Sequence, residues 1–427
     1  MVVTNFGDGM TDVDIGKDRS VLIYRRSLLP YSETFILRQA QSLTRWKPVF
    51  VGTPLQDGLS LEGFSCRTLK LPDPSKVEES SSFTTWLRRM RILGPSKATP
   101  RQRAIMVANR LQRAGVLNGI KETNPSLLHV HFGTNAEEAW PLAIALGIPM
   151  VVTFHGYDVT TYPEWWESGK GGRRYHNYPA VLRMMQDFGV RFVAVSDAIR
   201  QNAMEYGIRP DAVRKILIGV DSGLRVREPI PVAQRDHCIL FVGRFVEKKG
   251  IEYLIRAYSD IKRKIPNAKL RIIGSGPLES DLRSLAEEGG ISFLGRLSAE
   301  HVLAEMERAR VLCVPSIRAV SGDAEGLPTV ILEAQALGLP VVTSAQGGTT
   351  EGIIDGVTGA AFPQRDVRAL AEALMRFLDD DGLWTSASLN AVKFSKEKLD
   401  ISQHSERLEA YYDEIIGVSK CCQVGRC

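Results

Sequence analysis

Two glutamates, Glu325 and Glu333, flank a Gly-Leu-Pro in the stretch SGDAEGLPTVILEA (321–334). Pro328 suits the first turn of a helix, and Gly338 followed by Pro340 stops one, which predicts a helix over 328–337. Glu325 then stands on the loop before the helix and Glu333 on its second turn. The unpaired amides around Gly326, Leu327 and Thr329 suit a diphosphate. Bare carboxylates beside phosphate would repel it, so each acid must face hydroxyl donors. The pattern fits a ligand with sugars on both sides of a diphosphate. Taken alone, both acids would be ordinary residues favoured near a helix start.

A second group carries the opposite charge. In FVGRFVEKKGIEYLIRAY (241–258), Gly243 allows a tight exit from a strand, and Arg244 and Lys249 follow on the loop and helix entrance. Cations near a helix N-terminus make an anion site, with arginine gripping bidentately and lysine acting as a point charge. Lys248 is expected to be solvated surface charge. In IIGSGPLESDL (272–282), Gly274 and Gly276 follow a strand, but a full dinucleotide motif would need glycine where Glu279 stands. A plain tight turn is expected there, with nucleotide approach over its glycines as the alternative.

His155 ends the run VVTFHGYDV (151–159), with Asp158 just after it. His129 and His131 alternate in HVHFG (129–133) and should share one face of a strand. With His155 they could form a zinc triad, but no carboxylate or thiol joins them, and a structural pair is expected. Asp379, Asp380 and Asp381 mimic a D-x-D metal motif, yet they precede Gly382 at a helix end and read as an acidic cap. No metal site is therefore assigned. Of six cysteines, Cys238 and Cys313 lie in apolar runs and read as buried thiols, and Cys66 is isolated. Cys421, Cys422 and Cys427 crowd a frayed tail.

These residues need elements to hold them. Apolar runs at 20–24, 48–52, 127–132, 149–154, 191–196 and 215–221 read as strands with helical patterns between most of them. REPIPVAQRDH (227–237) reads as a linker. A second series follows at 238–243, 269–274, 291–295, 311–316 and 340–344, and a last helical pattern spans about 398–416. The expected class is α/β, with two doubly wound domains facing a cleft. The boundaries are 1–226 and 227–397, the last helix packing back on the first domain. A chain of 427 residues with 44% hydrophobic residues can build both cores. A net charge of +5 is too small to argue for nucleic acid. The first twenty residues lack the apolar core of a signal peptide, so a cytoplasmic protein is expected. The segment 86–121 holds nine Lys and Arg residues and no acid. Arg103, Arg110 and Arg113 cluster on one side of a helix there, opposite Ala104, Ala108 and Leu111. That pattern suits an anionic membrane surface.

E-x7-E after a strand, with G-R and a helix-entry lysine about eighty residues earlier, resembles the retaining glycosyltransferases of family 4, which have the GT-B fold. GLPTVILEAQALGLPVVTS is similar to that family over its whole length. PYSETFILRQAQSL (30–43), HVHFG and VVTFHGYDV resemble the exopolysaccharide and lipopolysaccharide subgroup. The resemblance implies transfer of a sugar from a nucleotide-diphosphate sugar to a glycan or polyprenyl-diphosphate-linked acceptor, without an obligatory metal. It implies that Arg244 and Lys249 stabilise the leaving diphosphate. Glu333 would hold the ribose, Glu325 the donor-sugar hydroxyls, and His155 would lie beside the reacting sugar. Gly243, Gly274, Gly276, Gly326, Leu327, Pro328 and Thr329 would line the donor site. Ser32, Glu33, His131 and Asp158 would face the acceptor. The chain departs from the family in its first loop, where Leu29, Pro30, Tyr31, Ser32 and Glu33 replace glycines and Ser32 could be an N-cap. Other readings are another GT-B enzyme, such as a nucleotide-sugar epimerase or a phosphorylase, or a non-catalytic glycan- or nucleotide-binding subunit.

Overall fold

The computed structural model describes residues 19–30, 33–55, 58–69, 99–113, 115, 117–224, 229–286 and 289–423. Tyr31, Ser32, residues 86–98 and Cys427 lie outside them, so the Ser32 assignment and the first part of the basic segment have no structural description. Two parallel sheets form the frame. The first contains β1 (Ser20–Leu28), β2 (Lys47–Pro54), β3 (Ser65–Thr68), β4 (Pro125–His131), β5 (Met150–Phe154), β6 (Arg191–Ala194) and β7 (Val213–Lys215), ordered β3-β2-β1-β4-β5-β6-β7. The second contains β8 (Cys238–Val242), β9 (Lys269–Ile273), β10 (Ile291–Gly295), β11 (Val311–Val314), β12 (Val341–Ser344) and β13 (Gly359–Phe362), ordered β10-β9-β8-β11-β12-β13. In both sheets the strand order reverses beside the first strand, and loops that leave such a switch point are where open sheets bind ligands. Glu33 on the β1 loop and His131 at the end of β4 lie there in one sheet, and Lys249 and Glu325 on the loops of the other.

The helices used by the site are few. They are α1 (Thr34–Gln41), α2 (Pro100–Arg113), α3 (Ala136–Leu146), α4 (Ile251–Lys264), α5 (Thr329–Ala336), α6 (Val367–Asp379), α7 (Asp381–Lys398) and α8 (Ile401–Gln423). The α5 helix is one residue shorter at each end than its sequence predicts, with Pro328 as its extended N-cap. In α2, Ala104, Ala108 and Leu111 are buried while Arg110 and Arg113 are exposed, as the helical periodicity requires.

Two elements depart from expectation. KILIGVD (215–221) is not a strand beyond Lys215. Ile216 instead packs with Leu408, Tyr411 and Tyr412 of α8, and the backbone of Val220 pairs with Leu399 and Ile401. The segment 227–237 is no loose tether either, because Arg235 is buried. Its guanidinium donates to the carbonyls of Met306 and Ala309 at 2.9 and 2.8 Å and stacks 4.9 Å from the Trp384 ring. Residues 225–228 are not described. Asp380 caps α7 by accepting from the Leu383 amide, and Asp381 pairs with Arg310 at 2.8 Å, so the acidic triplet serves a helix start. Cys238 and Cys313 are buried free thiols, and Cys66 is half-buried.

Candidate functional site

The β8 loop is pinned to the β11 loop by close backbone approach. Gly250 has φ +61, and a Cβ there would lie 2.0 Å from the Pro315 carbonyl oxygen. Only glycine meets both demands without strain. The Ile317 amide donates to the Lys248 carbonyl at 2.8 Å, and the Val320 amide to the Glu247 carboxylate at 3.0 Å. Lys248 is not solvated surface charge. It is largely buried and pairs with Asp323 at 3.0 Å, because the loop leaves an acid that needs a partner.

This stapling brings Lys249 Nζ within 2.9 Å of Glu325 Oε1. Burial would raise the Glu325 carboxyl, but Lys249 and Lys248 beside it win and hold it below the ordinary glutamate range. Arg244 is exposed at the mouth of the loop and makes no ion pair among the described residues. Gly243 accommodates the Lys249 stem, 3.4 Å from where a Cβ would stand. Gly274 and Gly276 serve packing: a Cβ on them would lie 1.8 Å from the Gly243 oxygen and 2.5 Å from the Phe245 oxygen. These glycines let two loops of the same sheet touch, where the sequence suggested room for a nucleotide.

Glu333 lies on α5 as expected, and burial pushes its carboxyl up against the pull of Arg38. Arg38 comes from α1, across the cleft, and its Nη1 donates to Glu333 Oε1 at 3.0 Å. Thr34, Phe35, Thr329 and Val220 share this small pocket with the pair. Each acid thus has one oxygen on a cation, Glu325 with the Ser316 hydroxyl also beside it, and the remaining lone pairs can accept from hydroxyls.

The two sheets meet at the loop holding His155. A Cβ on Gly326 would lie 2.0 Å from the His155 oxygen, and one on Gly348 1.7 Å from the Gly326 oxygen. The Tyr162 amide donates to Ser321 O and the Ala324 amide to Thr160 Oγ1, both at 2.9 Å. Gly326 therefore allows the loops of the two domains to touch. Leu327 and Pro328 are buried behind it, and Thr329 is half-buried at the start of α5.

Asp158 is fully buried. It accepts from the amides of Gly133 (2.9 Å), His155 (3.1 Å) and Gly156 (2.9 Å). Its carboxylate is therefore occupied by backbone, and it fixes the His155 loop instead of reaching towards an acceptor. Burial raises its carboxyl, against those amides. Glu33 is buried in a bidentate pair with Arg25 at 2.8 and 2.6 Å. His131 is also buried, and its Nδ1 lies 3.0 Å from His155 Nε2. His129 has both nitrogens engaged, by Tyr412 Oη at 2.5 Å and Thr153 Oγ1 at 2.7 Å. The three imidazoles form a line of contacts instead of converging on one point. Among the described residues no group of three or more His, Cys, Asp or Glu is placed to hold a metal ion.

Sequence reasoning missed Arg38, Phe35 and Phe132. Phe35 and Phe132 flank His155, with ring centroids 5.0 and 4.6 Å away. Phe132 has φ +66, which costs a non-glycine residue on the order of 1–3 kcal/mol. The Phe132 amide bonds to Thr153 O, and Asn135 to Phe132 O, so its surroundings hold the strain in place.

The profile of a family described as Glycosyltransferase Family 4 matches residues 59–224, and that of Glycosyl transferases group 1 matches 225–394. The chain belongs to the family-4 glycosyltransferases. The colanic acid biosynthesis glycosyltransferase WcaL of Escherichia coli K12 is 28% identical over 279 residues, covering 63% of this chain and 65% of WcaL. The chain thus spans under two thirds of the length of this relative. Sucrose-phosphate synthase from Thermosynechococcus elongatus superposes with a TM-score of 0.69 at 19% identity, covering 94% of this chain and all of that one. HepE from Anabaena, solved with UDP and glucose, gives a TM-score of 0.64 at 17% identity, covering 92% and 99%. This likeness is one of fold: both family-4 domains assemble as GT-B.

Proposed function

We propose that the protein transfers a sugar from a nucleotide-diphosphate sugar to a hydroxyl of a glycan or lipid-linked oligosaccharide, with retention at the anomeric carbon, in the synthesis of a bacterial surface polysaccharide. The Lys249–Glu325 pair beside the start of α5, on the loop whose Gly326 touches the His155 backbone, carries this reading. The UDP and glucose of HepE and the colanic acid role of WcaL support it. Lys249 and Arg244 neutralise charge growing on the departing diphosphate, which is electrostatic catalysis. The free lone pairs of Glu325 and Glu333 accept from sugar and ribose hydroxyls. Retention without a nucleophile placed for it points to attack on the face the diphosphate leaves.

The test is a panel of nucleotide sugars. A true donor at 100 times its dissociation constant should stabilise the protein by roughly 2.7 kcal/mol. It should also release its nucleotide faster when acceptor is present. A panel with neither stabilisation nor release overturns the reading. Because Arg244, Lys249 and the helix amides supply positive charge, activity is expected to persist in excess EDTA. Complete loss that manganese restores would mean that these groups do not suffice.

The acceptor reading extends to a membrane. No helix among the described residues is long and apolar enough to cross one. On α2, Arg110 and Arg113 are exposed beside Met106, which is 65% exposed. Arg103 leans 3.9 Å from Glu137, and Arg101 stacks 4.1 Å over Phe188. Each basic residue near an anionic leaflet contributes about 1 kcal/mol. The protein is expected to float with anionic vesicles at low salt and less at high salt. Reversing Arg88, Arg89, Arg91, Arg110 and Arg113 to glutamate should abolish flotation. Equal behaviour with neutral vesicles would remove the membrane role.

A further inference from the structure

His155 follows β5, and its carbonyl lies against Gly326 of the helix-start loop of the second sheet. Its ring is held between Phe35 and Phe132, and its Nε2 meets His131 Nδ1 at 3.0 Å, the two rings inclined by only 22°. Its other nitrogen, Nδ1, is buried and has no hydrogen-bond partner among the described residues. A buried polar atom left without a partner costs stability and calls for an explanation. A ligand atom that completes the bond supplies one.

His131 cannot be that ligand's direct neighbour, since it is 1% exposed. Its ring lies against that of His129, tilted by 31° with centroids 4.3 Å apart, and so keeps its place. Burial, with His129 and Arg25 adding to it, pushes His155 down to about 3, and burial likewise depresses His129 and His131. Near neutral pH the pair therefore shares one hydrogen between Nδ1 of His131 and Nε2 of His155. If His131 donates, His155 carries its hydrogen on Nδ1. If His155 donates, its Nδ1 is a bare acceptor. The partner's hydrogen bond thus decides what the free nitrogen offers.

We propose that His131 is a positioning residue, which through its Nδ1 fixes the tautomer and tilt of His155 so that His155 presents Nδ1 in one defined state to the sugar being transferred. This rests on the reading of His155 as a neighbour of the donor sugar.

The experiment has an arm that needs no substrate. In histidine labelled with 15N, the two ring nitrogens of His155 should give one well-separated protonated and unprotonated pair in the wild-type protein. Averaged shifts in the wild type overturn the proposal, whether or not any variant folds. Phenylalanine at position 131, written His131→Phe, should bring averaging and lower kcat while leaving KM for the donor unchanged. Outer partners that fix functional imidazoles at metal sites are worth about 10–100-fold, and the lower end, about tenfold, is expected here. His131→Asn, whose amide can stand near the position of Nδ1, should restore most of that loss. Unaltered His155 signals and wild-type kcat in His131→Phe overturn the proposal. His155→Phe separates the two claims. If it abolishes transfer while His131→Phe keeps the wild-type kcat, the positioning role falls alone. If it too leaves transfer at the wild-type rate, the placement of His155 at the donor falls with it.

Discussion

Lys249→Ala is expected to lower kcat by roughly 10²–10³-fold, the range seen when one preorganised donor to a developing anion is removed. Charge on the diphosphate is larger when the glycosidic bond is breaking than when the donor is merely bound. A cation placed for it therefore acts on the rate more than on binding, and KM should change little. A second effect follows from the pair with Glu325. Burial raises that carboxyl, and Lys249 first, then Lys248, with the Ser316 hydroxyl, bring it below the ordinary range. A carboxyl depressed in this way stabilises the fold above its unfolded pKa and loses that contribution as pH falls through its folded pKa. With Lys249 gone, Lys248 remains, but it is already bound to Asp323. Burial should then prevail, so that Glu325 takes up its proton at higher pH. The acid limb of the rate profile is expected to move upward in Lys249→Ala and to vanish when Glu325→Gln is added. Lys249→Arg, which keeps the charge, should recover part of the rate. Wild-type kcat in Lys249→Ala, or a change in KM alone, would remove the lysine from the chemistry.

Most strands were legible because strands of a parallel sheet covered on both faces read as short apolar runs. The β3 and β13 strands escaped, being four residues each, with no fully buried residue in SCRT and three small ones in GAAF. KILIGVD misled for the opposite reason. Its alternating Ile216, Ile218 and Val220 are all buried, but Ile216 packs against a helix about two hundred residues away in the chain. The acids, cations and His155 were legible because a helix start and a strand end leave recognisable signals. The partners of those residues were not. Nothing local in TFILRQAQ marks Arg38 as the group that reaches Glu333, since the pair spans the cleft. Glycine is ambiguous in the same way. Gly274 and Gly326 both accommodate close approach, and the sequence cannot tell a ligand from another stretch of backbone.

Glu409→Ala is expected to cost about 3–5 kcal/mol, the range for leaving the partners of a buried charge unmet. Glu409 lies on α8 with no exposed surface. Its Oε1 accepts from the amides of Thr44 (2.9 Å), Arg45 (2.7 Å) and Trp46 (3.0 Å), and Oε2 from Thr44 Oγ1 at 3.2 Å. The turn between α1 and β2 has thus given three donors to one carboxylate from the far end of the chain. Alanine would leave all three amides without that acceptor, at greatest cost for buried Trp46, since Thr44 and Arg45 reach solvent. Glu409→Gln keeps an acceptor oxygen and should lose less. The consequence reaches the site, because Tyr412, one turn further along α8, bonds to His129, and the His129 ring packs against His131. Loosening α8 should therefore lower turnover as well as stability. Two domains need not melt together, so a single midpoint is a poor measure. Hydrogen exchange at the amides of 44–46 and along α8 reads the effect locally. Exchange there should rise steeply in Glu409→Ala while β8 to β13 keep their protection. Unchanged exchange at 44–46 would show that the carboxylate does not hold the helix. Faster exchange with undiminished kcat would show that α8 supports the fold without supporting the line of histidines.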